Sequence, residues 1–269
     1  MPSPPPLPIR VLVKGSSMVN WTYPLGGPRS DFLYPRAIEA QLLSEGRSCE
    51  VRAITRMAER ASDLLKTWQQ EILGYSPDVI ILHYGGYESI HLFLPRWLER
   101  HVNSLSARPR LTSRVYRKFL LRPIWLALAG LQSRIDSKIP TIRKAPTRRV
   151  AADLERYITQ VQLVGSPMVL MVELHQVTER RLKWFPGLNL RLDQANEAMA
   201  EVVARIDKPH VRLFPVRELI NKHFNGDATV AISDGFHFSP ELHRVVGSAL
   251  AQEISEWAET QPHLTSHAE

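Results

Sequence analysis

The chain has 269 residues, of which 44% are apolar, and this is enough for one large domain or two small ones with a proper core. Its glycine and proline contents are too low for a disordered or fibrous chain, and the single cysteine, Cys49, excludes an internal disulfide and a multi-cysteine metal site. The formal net charge of +7 is uneven: residues 96–149 carry fourteen Arg and Lys against two acids, about +12, so the remainder is near −5.

The first ten residues, MPSPPPLPIR, are rich in proline. They lack the basic region followed by an apolar core that marks a secretory signal, so we expect an extended lead-in to the first strand. No run of about 18 uncharged apolar residues predicts a transmembrane helix. Together with the low cysteine content, this predicts a cytoplasmic protein.

Five short apolar runs predict buried strands, and helical patterns lie between them. The runs are IRVLVK, CEVRAI, DVIILHY, PMVLMVEL and HVRLFPV, and the helical patterns cover residues 34–46, 60–75, 191–206 and 239–259. This alternation predicts a parallel sheet with helices on both faces. We expect an α/β/α sandwich of flavodoxin type, strand order 2-1-3-4-5, with its ligand beyond the carboxyl ends of the strands.

Residues 92–150 interrupt this alternation, because a compact α/β domain needs only one helix after its third strand. We interpret them as a basic helical insertion, a lid or subdomain, within a single domain spanning residues 1–269. The run FLLRPIWLALAGL would supply an apolar wall over an acyl site, with membrane-surface contact through residues 96–149 as a second role. The alternatives are a solvated surface, or a site for an acyl carrier protein or a coenzyme A phosphate. The charge is not accompanied by a nucleic-acid-binding motif, so nucleic acid is not expected.

Three predicted strand ends carry polar residues suited to nucleophilic catalysis. They are Gly15-Ser16-Ser17 after the first strand, HYGGYES (83–89) after the third, and SDGFHFSPELH (233–243) before the last helix. Asp234 and His237 are three residues apart on a turn that enters a helix, so the acid can reach the imidazole. A histidine held by a carboxylate can take the proton of a serine hydroxyl.

This pattern resembles the SGNH or GDSL hydrolases. GSS at 15–17 matches the family's Gly-Asp-Ser block except at its acid, and DGFHFS at 234–239 matches its Asp-Gly-x-His block. YPRAIEAQLL, DVIILHYGGYE and LDQANEAMAEV are similar to family segments in the same order, so the resemblance covers residues 9–95 and 150–258. It implies that Ser17 is the nucleophile, His237 the base and Asp234 the residue that orients it.

The resemblance departs from the family at the oxyanion hole. The family combines the amide of the nucleophile with a glycine after strand two and an asparagine after strand three. Here Ala58, or its neighbour Met57, stands in the first loop, and Tyr87 stands at the asparagine position. An alanine still offers its amide, whereas a tyrosine hydroxyl would donate from farther out. Losing one donor costs roughly 2.7–4 kcal/mol, so we expect a weak hole or one rebuilt from Gly85 and Gly86.

The same edge of the sheet suggests substrate contacts. We predict four: Tyr84, Glu88, His175 and Trp184. Tyr87 and Glu88 are either pocket residues or structural replacements, and the loop 175–191 would form a second wall of the site. We interpret His83 as a core or rim histidine with satisfied hydrogen bonds. A metal site from His83, His175 and Glu173 has no specific spacing, so neither a metal nor a cofactor is expected.

Three functions remain open at this point. We expect a serine esterase that hydrolyses a small-molecule or lipid acyl ester through an acyl-enzyme. GGYES and LPRWLERHV also resemble a narrower actinobacterial group, of the diglucosylglycerate octanoyltransferase type, that moves a fatty acyl group onto a sugar acid. This implies the alternative of an acyltransferase acting from a thioester or ester, such as acyl-CoA, to a sugar or alcohol hydroxyl. The second alternative is a non-catalytic binding protein on the same fold.

Overall fold

The computed structural model describes residues 7–22, 32–56, 59–90, 95, 97–98, 101, 115–136 and 140–265. Its strands form one parallel sheet in the order β2-β1-β3-β4-β5, which confirms the predicted topology. The strands are β1 (Ile9–Gly15), β2 (Cys49–Thr55), β3 (Val79–His83), β4 (Met168–Val172) and β5 (Val211–Phe214).

Eleven α-helices are assigned within the described residues, and a π-helical turn, Arg117–Leu121, precedes the fifth. The four helices predicted from periodicity are α2, α3, α8 and α11, and each lies within three residues of its predicted ends. The helices are α1 (Ser17–Asn20), α2 (Tyr34–Ser44), α3 (Ala61–Tyr75), α4 (Gly86–Ile90), α5 (Arg122–Asp136), α6 (Pro140–Val164), α7 (Glu179–Leu182), α8 (Leu188–Ile206), α9 (Val216–Phe224), α10 (Ala228–Ala231) and α11 (Pro240–Ala258).

The core consists of two apolar layers, one on each face of the sheet. Because successive side chains of a strand point to opposite faces, Val11 and Val13 pack against α2 and α11, while Leu12 packs against α3, α6 and α8. We call the α2/α11 side the first face and the α3/α6/α8 side the second face. This is the three-layer sandwich that the alternation of strands and helices predicts.

One strand is less buried than predicted. β2 lies at the edge of the sheet, and Glu50, Arg52 and Ala53 are exposed. The prediction that all five runs are buried was therefore wrong for CEVRAI. An edge strand has only one neighbour, and charged side chains on it are a common way to prevent pairing with another chain.

The described part of the predicted insertion is helical. Leu121 is buried against Leu98, with Tyr116 and Leu128 packed around them. α6 runs without a break through residue 150 and packs on α3 and α8, so the predicted end of the insertion falls inside a helix. Residues 102–114 lie outside the described residues. Within the described ranges, no helix is both long enough and apolar enough to cross a bilayer.

Candidate active site

Ser17 is displayed where β1 passes into α1. At Gly15 a Cβ atom would lie 2.9 Å from the His83 carbonyl oxygen and 2.4 Å from a methyl of Val19, so a larger residue does not fit this crossing. Ser16 is only 3% exposed, whereas Ser17 is half-buried and begins α1. The turn therefore presents the second serine, the one predicted as nucleophile, at the carboxyl edge of the sheet.

The turn that carries Asp234 and His237 is fixed by its own backbone. Asp234 Oδ1 accepts hydrogen bonds from the amides of Phe236 at 2.8 Å and His237 at 2.7 Å. Gly235 has φ +87°, and a Cβ there would lie 2.6 Å from Thr178 Oγ1. A residue without a Cβ is needed both for this backbone conformation and for this contact.

The three side chains form a continuous hydrogen-bonded chain. His237 Nε2 lies 3.2 Å from Ser17 Oγ, and His237 Nδ1 lies 2.7 Å from Asp234 Oδ2. An ionised carboxylate only accepts hydrogen bonds, so Nδ1 carries the proton and Nε2 accepts from the serine hydroxyl. The side chains of His237 and Asp234 are 18% and 12% exposed. A histidine placed in this way between a carboxylate and a serine hydroxyl is able to accept the serine proton.

The charge of Asp234 is stabilised by its hydrogen bonds. Burial on its own raises the pKa of this carboxyl, but the ring and amide of His237 and the amide of Phe236 outweigh it and lower the pKa to about 2. Asp234 is therefore ionised at neutral pH. An anion at this position would stabilise a protonated His237 ring.

Two side chains from the β4–α8 connection hold this turn from outside. The His175 ring nitrogen Nε2 lies 2.9 Å from the Phe236 carbonyl oxygen, and Arg181 Nε donates to the Asp234 carbonyl oxygen at 2.8 Å. The Arg181 guanidinium also lies 4.5 Å from the centre of the Phe236 ring. Sequence reasoning placed Arg181 only in a wall of the site and missed this contact, which joins residues 53 positions apart.

Three buried imidazoles surround Phe238 beneath His237. The centres of the His83, His175 and His243 rings lie 5.6, 5.1 and 5.2 Å from the centre of the Phe238 ring. Burial lowers their pKa values, to about 3 for His83 and about 4 for the other two, so all three are neutral at neutral pH. These three imidazoles therefore place no positive charge near His237 at neutral pH.

His243 connects this cluster to the segment that follows Ser17. Its Nδ1 accepts from the Tyr34 amide at 3.3 Å, so Nε2 carries the proton and donates to the Trp21 carbonyl oxygen at 3.2 Å. The Trp21 ring lies 5.9 Å from the His237 ring, centre to centre. The Trp21 indole therefore lies beside the His237 imidazole.

The structure describes some of the residues of the predicted oxyanion hole. Gly86 begins α4, and a Cβ there would lie 3.7 Å from Met18 Cγ, so its backbone lies beside the residue that follows Ser17. The first amides of a helix have no partner within it. The Tyr87 ring lies 5.7 Å from the Arg60 guanidinium carbon. Ala58 and Met57 lie outside the described residues.

Three of the four predicted substrate contacts make contacts inside the protein, and their role toward a substrate stays a prediction. His175 is 2% exposed and bonds to backbone, and Tyr84 is 2% exposed on the second face, with its hydroxyl beside Glu59. Glu88 turns away to α3, where its carboxylate accepts the Ala61 amide at 2.7 Å, and burial raises its pKa. Trp184 is 59% exposed after α7, and its role stays a prediction.

No metal centre is formed by the residues that the structure describes: none of their His, Cys, Asp and Glu side chains form a group of three or more that could hold an ion. Glu173 is engaged elsewhere, because its carboxylate accepts the Arg217 amide at 2.9 Å. His83 and His175 both pack against Phe238.

A second buried polar cluster lies on the second face, and sequence reasoning missed it. Lys14, fully buried on β1, lies 2.7 Å from a Glu71 carboxylate oxygen and 3.9 Å from one of Glu59. The hydroxyls of Tyr84 and Tyr157 are buried on the same face. A lysine inside an apolar strand run was the available signal, because such a charge needs a buried partner.

Comparison with solved structures shows the fold. A lipase/acylhydrolase from Enterococcus faecalis is 16% identical with a TM-score of 0.60, and the match covers 93% of this chain and 96% of that one. Est24, a carbohydrate acetylesterase from Sinorhizobium meliloti, is 14% identical with a TM-score of 0.55, covering 93% and 99%. The psychrotrophic esterase EstA from a Pseudoalteromonas species, in a structure inhibited by monoethylphosphonate, is 9% identical with a TM-score of 0.54, covering 93% and 98%.

These matches and the strand order define an SGNH/GDSL hydrolase-like fold, as the resemblance in sequence implied. No protein-family model and no curated protein matches the sequence. Identities this low show a similar fold and not a similar activity.

Proposed function

We propose that this chain is a serine-dependent acyl-ester hydrolase of the SGNH/GDSL type, which acts through a covalent acyl-enzyme. The observation that carries the proposal is the chain of hydrogen bonds from Ser17 Oγ to His237 Nε2 (3.2 Å) and from His237 Nδ1 to Asp234 Oδ2 (2.7 Å). Structures of similar fold are described as a lipase/acylhydrolase and as esterases, which supports the same chemistry.

In the first half-reaction, Ser17 Oγ attacks the carbonyl carbon of the ester while its proton passes to His237 Nε2. Asp234 stabilises the imidazolium through the Nδ1–H bond. The tetrahedral intermediate then expels the alcohol, and His237 returns the proton to the leaving oxygen. The product on the protein is an acyl ester of Ser17.

In the second half-reaction, a water molecule attacks the acyl-enzyme and His237 accepts its proton. Collapse of the second tetrahedral intermediate releases the carboxylic acid, and the proton on Nε2 returns to Ser17 Oγ. Every proton therefore moves between His237 and an oxygen within its reach. No group beyond the chain, the ester and water is needed to balance the reaction.

We assign the oxyanion hole to backbone amides, those of Ser17, Ala58 and Gly86. The proximity of Gly86 to Met18 supports the third of these. Tyr87, whose ring lies 5.7 Å from the Arg60 guanidinium carbon, stays a predicted further donor. Each well-placed donor accounts for about 10²–10³ in rate.

The test is intact-mass spectrometry after incubation with a fluorophosphonate, which forms a stable adduct with an activated serine. We expect one adduct on the wild type and none on Ser17→Ala. Ser16→Ala is the matched control, because Ser16 is buried next to the nucleophile, and it should still be labelled. Labelling that survives in Ser17→Ala would reject the assignment. A folded wild type that takes up no probe would favour the non-catalytic binding protein.

A second measurement separates hydrolysis from transfer, which share the first half-reaction. Nitrophenyl esters of increasing acyl length are supplied with and without a sugar or glycerol acceptor, and the free acid and the new ester are quantified. We expect the acid as the main product in both cases. A new ester as the main product would instead establish an acyltransferase.

A further inference from the structure

The π-helical turn and α5 have one side attached to the protein and another side that is apolar and exposed. On the attached side, Leu121 is 5% exposed, and the Gln132 amide donates to the Ile90 carbonyl oxygen at 2.7 Å. Ile90 ends α4, whose first residue, Gly86, lies beside Met18 at the candidate site. The helix is therefore fixed to the element that borders the nucleophile.

The other side carries large apolar side chains in solvent. Each of them is between 41% and 68% exposed, and together they form what we call the α5 apolar face: Val115, Phe119, Leu120, Ile124, Leu126 and Leu131. At the helical rise they extend over about 25 Å. Isolated exposed apolar residues are ordinary, but six of them within seventeen residues of one helical segment indicate an interaction surface.

The charges beside this face indicate its partner. Lys118 and Arg122 are exposed next to it, and the Lys118 ammonium lies 5.4 Å from the centre of the Phe119 ring. The surrounding segment, 96–149, carries about +12. Aromatic and aliphatic side chains bordered by lysine and arginine are the composition of a helix that lies in the interface of an anionic bilayer.

We propose that the α5 apolar face docks on the surface of an anionic phospholipid bilayer. The apolar side chains enter the region between headgroups and acyl chains, and Lys118 and Arg122 contact the lipid phosphates. Docking as such does not depend on the proposed esterase activity. Its consequence for catalysis does, because the attachment of α5 to α4 would bring the edge of the Ser17 site close to lipid acyl esters.

The test is cosedimentation with phosphatidylcholine vesicles that either contain or lack phosphatidylglycerol. We expect binding to the anionic vesicles that weakens as salt is raised. The double variant Lys118→Gln/Arg122→Gln should bind about 30-fold more weakly, from the contribution of each charge near an anionic surface. Lys222→Gln/Arg244→Gln, which removes two charges from α9 and α11, should bind like the wild type.

The apolar contribution is tested separately. Phe119→Gln/Leu120→Gln should lower the partition coefficient at least tenfold, since both side chains would enter lipid. Leu43→Gln/Leu73→Gln is the matched control, because these leucines are 56% and 60% exposed on α2 and α3. All four positions are exposed, so the variants should keep the circular dichroism spectrum of the wild type.

Three outcomes would overturn the proposal. The first is equal binding to vesicles with and without phosphatidylglycerol, or none to either. The second is an equal loss of vesicle binding in the variants of the α5 apolar face and in their control variants. The third is a dimer in sedimentation velocity that Phe119→Gln/Leu120→Gln dissociates, which would assign the face to a second copy of the chain. Ser17→Ala should bind vesicles normally, so failure of docking and failure of the esterase proposal remain distinguishable.

Discussion

The two faces of the sheet carry different buried polar clusters at the same height, just beneath the candidate active site. On the first face, three neutral imidazoles pack around Phe238. On the second face, Lys14 is paired with Glu71 and Glu59. Two adjacent residues at the end of β3 reach the two clusters. His83 packs against Phe238 on the first face, and the hydroxyl of Tyr84 lies beside Glu59 on the second.

The difference follows from what lies above each cluster. The turn with Asp234 and His237 is attached to the first face through Phe238 and His175, and the three imidazoles of that face are neutral at neutral pH. The second face carries no part of that turn beyond Phe236, so it can hold a full ion pair. We infer that the first cluster acts on catalysis and the second on stability.

The largest effect is expected from breaking the ion pair of the second face. Lys14→Met leaves two buried carboxylates without their cation, and removing one partner of a buried pair typically costs about 3–5 kcal/mol. We expect the free energy of unfolding, measured by urea denaturation, to fall by that amount. Lys14→Met/Glu71→Leu should recover more than half of the loss, because only Glu59 then remains unpaired.

Lys66→Met is the matched control for this prediction. Lys66 pairs with Asp63 on the exposed surface of α3, where such pairs contribute about 0–1 kcal/mol. If Lys14→Met were no less stable than Lys66→Met, the ion pair of the second face would have no structural importance and the comparison of the two faces would fail.

The next effect concerns pH and the first face. His83 has both ring nitrogens buried without a hydrogen-bond partner among the described residues, and burial lowers its pKa to about 3. The unfolded chain binds a proton at this histidine near pH 6.5, whereas the folded chain does so only near pH 3. The contribution of neutral His83 to the free energy of unfolding is therefore complete above pH 6.5 and is lost as the pH falls toward 3. The slope is about 1.4 kcal/mol per pH unit for one group.

The free energy of unfolding, measured by urea denaturation, should fall between pH 7 and pH 5 in both proteins. We expect the fall to be about 2 kcal/mol smaller for His83→Leu than for the wild type. The groups that face His83 are Tyr34, Phe238 and the other two imidazoles, and these stay in place. His223→Gln, which removes an exposed histidine from α9, is the control variant. Identical curves for His83→Leu and the wild type would mean that the ring is not held neutral.

Features that depend on residues close together in the sequence could be predicted from it. Strand order follows from apolar runs and the helices between them, and Asp234 and His237 are three residues apart on one turn. The inward contacts join distant segments: 61 residues separate His175 from Phe236, and 57 separate Lys14 from Glu71. No local pattern shows which face such a side chain joins, so the internal contacts of Tyr84, Glu88 and His175 could not be predicted from the sequence.

The smallest effect tests whether the first face acts on catalysis through the turn. His175→Phe keeps the ring but loses the hydrogen bond to the Phe236 carbonyl oxygen. Because His237 is the next residue, we expect its imidazole to shift from Ser17, and small misplacements of this kind lower rates strongly. We predict about a tenfold lower kcat for nitrophenyl ester hydrolysis with KM little changed, a loss equal to about 1.4 kcal/mol in the activation barrier.

His175→Gln is the informative partner of this variant, because its amide can still donate to the carbonyl oxygen and should restore part of kcat. A merely structural role would instead lower the melting temperature of both variants and leave kcat of the folded fraction unchanged. Lys14→Met supplies the contrast, since it should lose stability while the fluorophosphonate labelling rate of its folded fraction stays near that of the wild type. The reverse result, with Lys14→Met slow to label and His175→Phe at wild-type kcat, would mean that catalysis depends on the charged face.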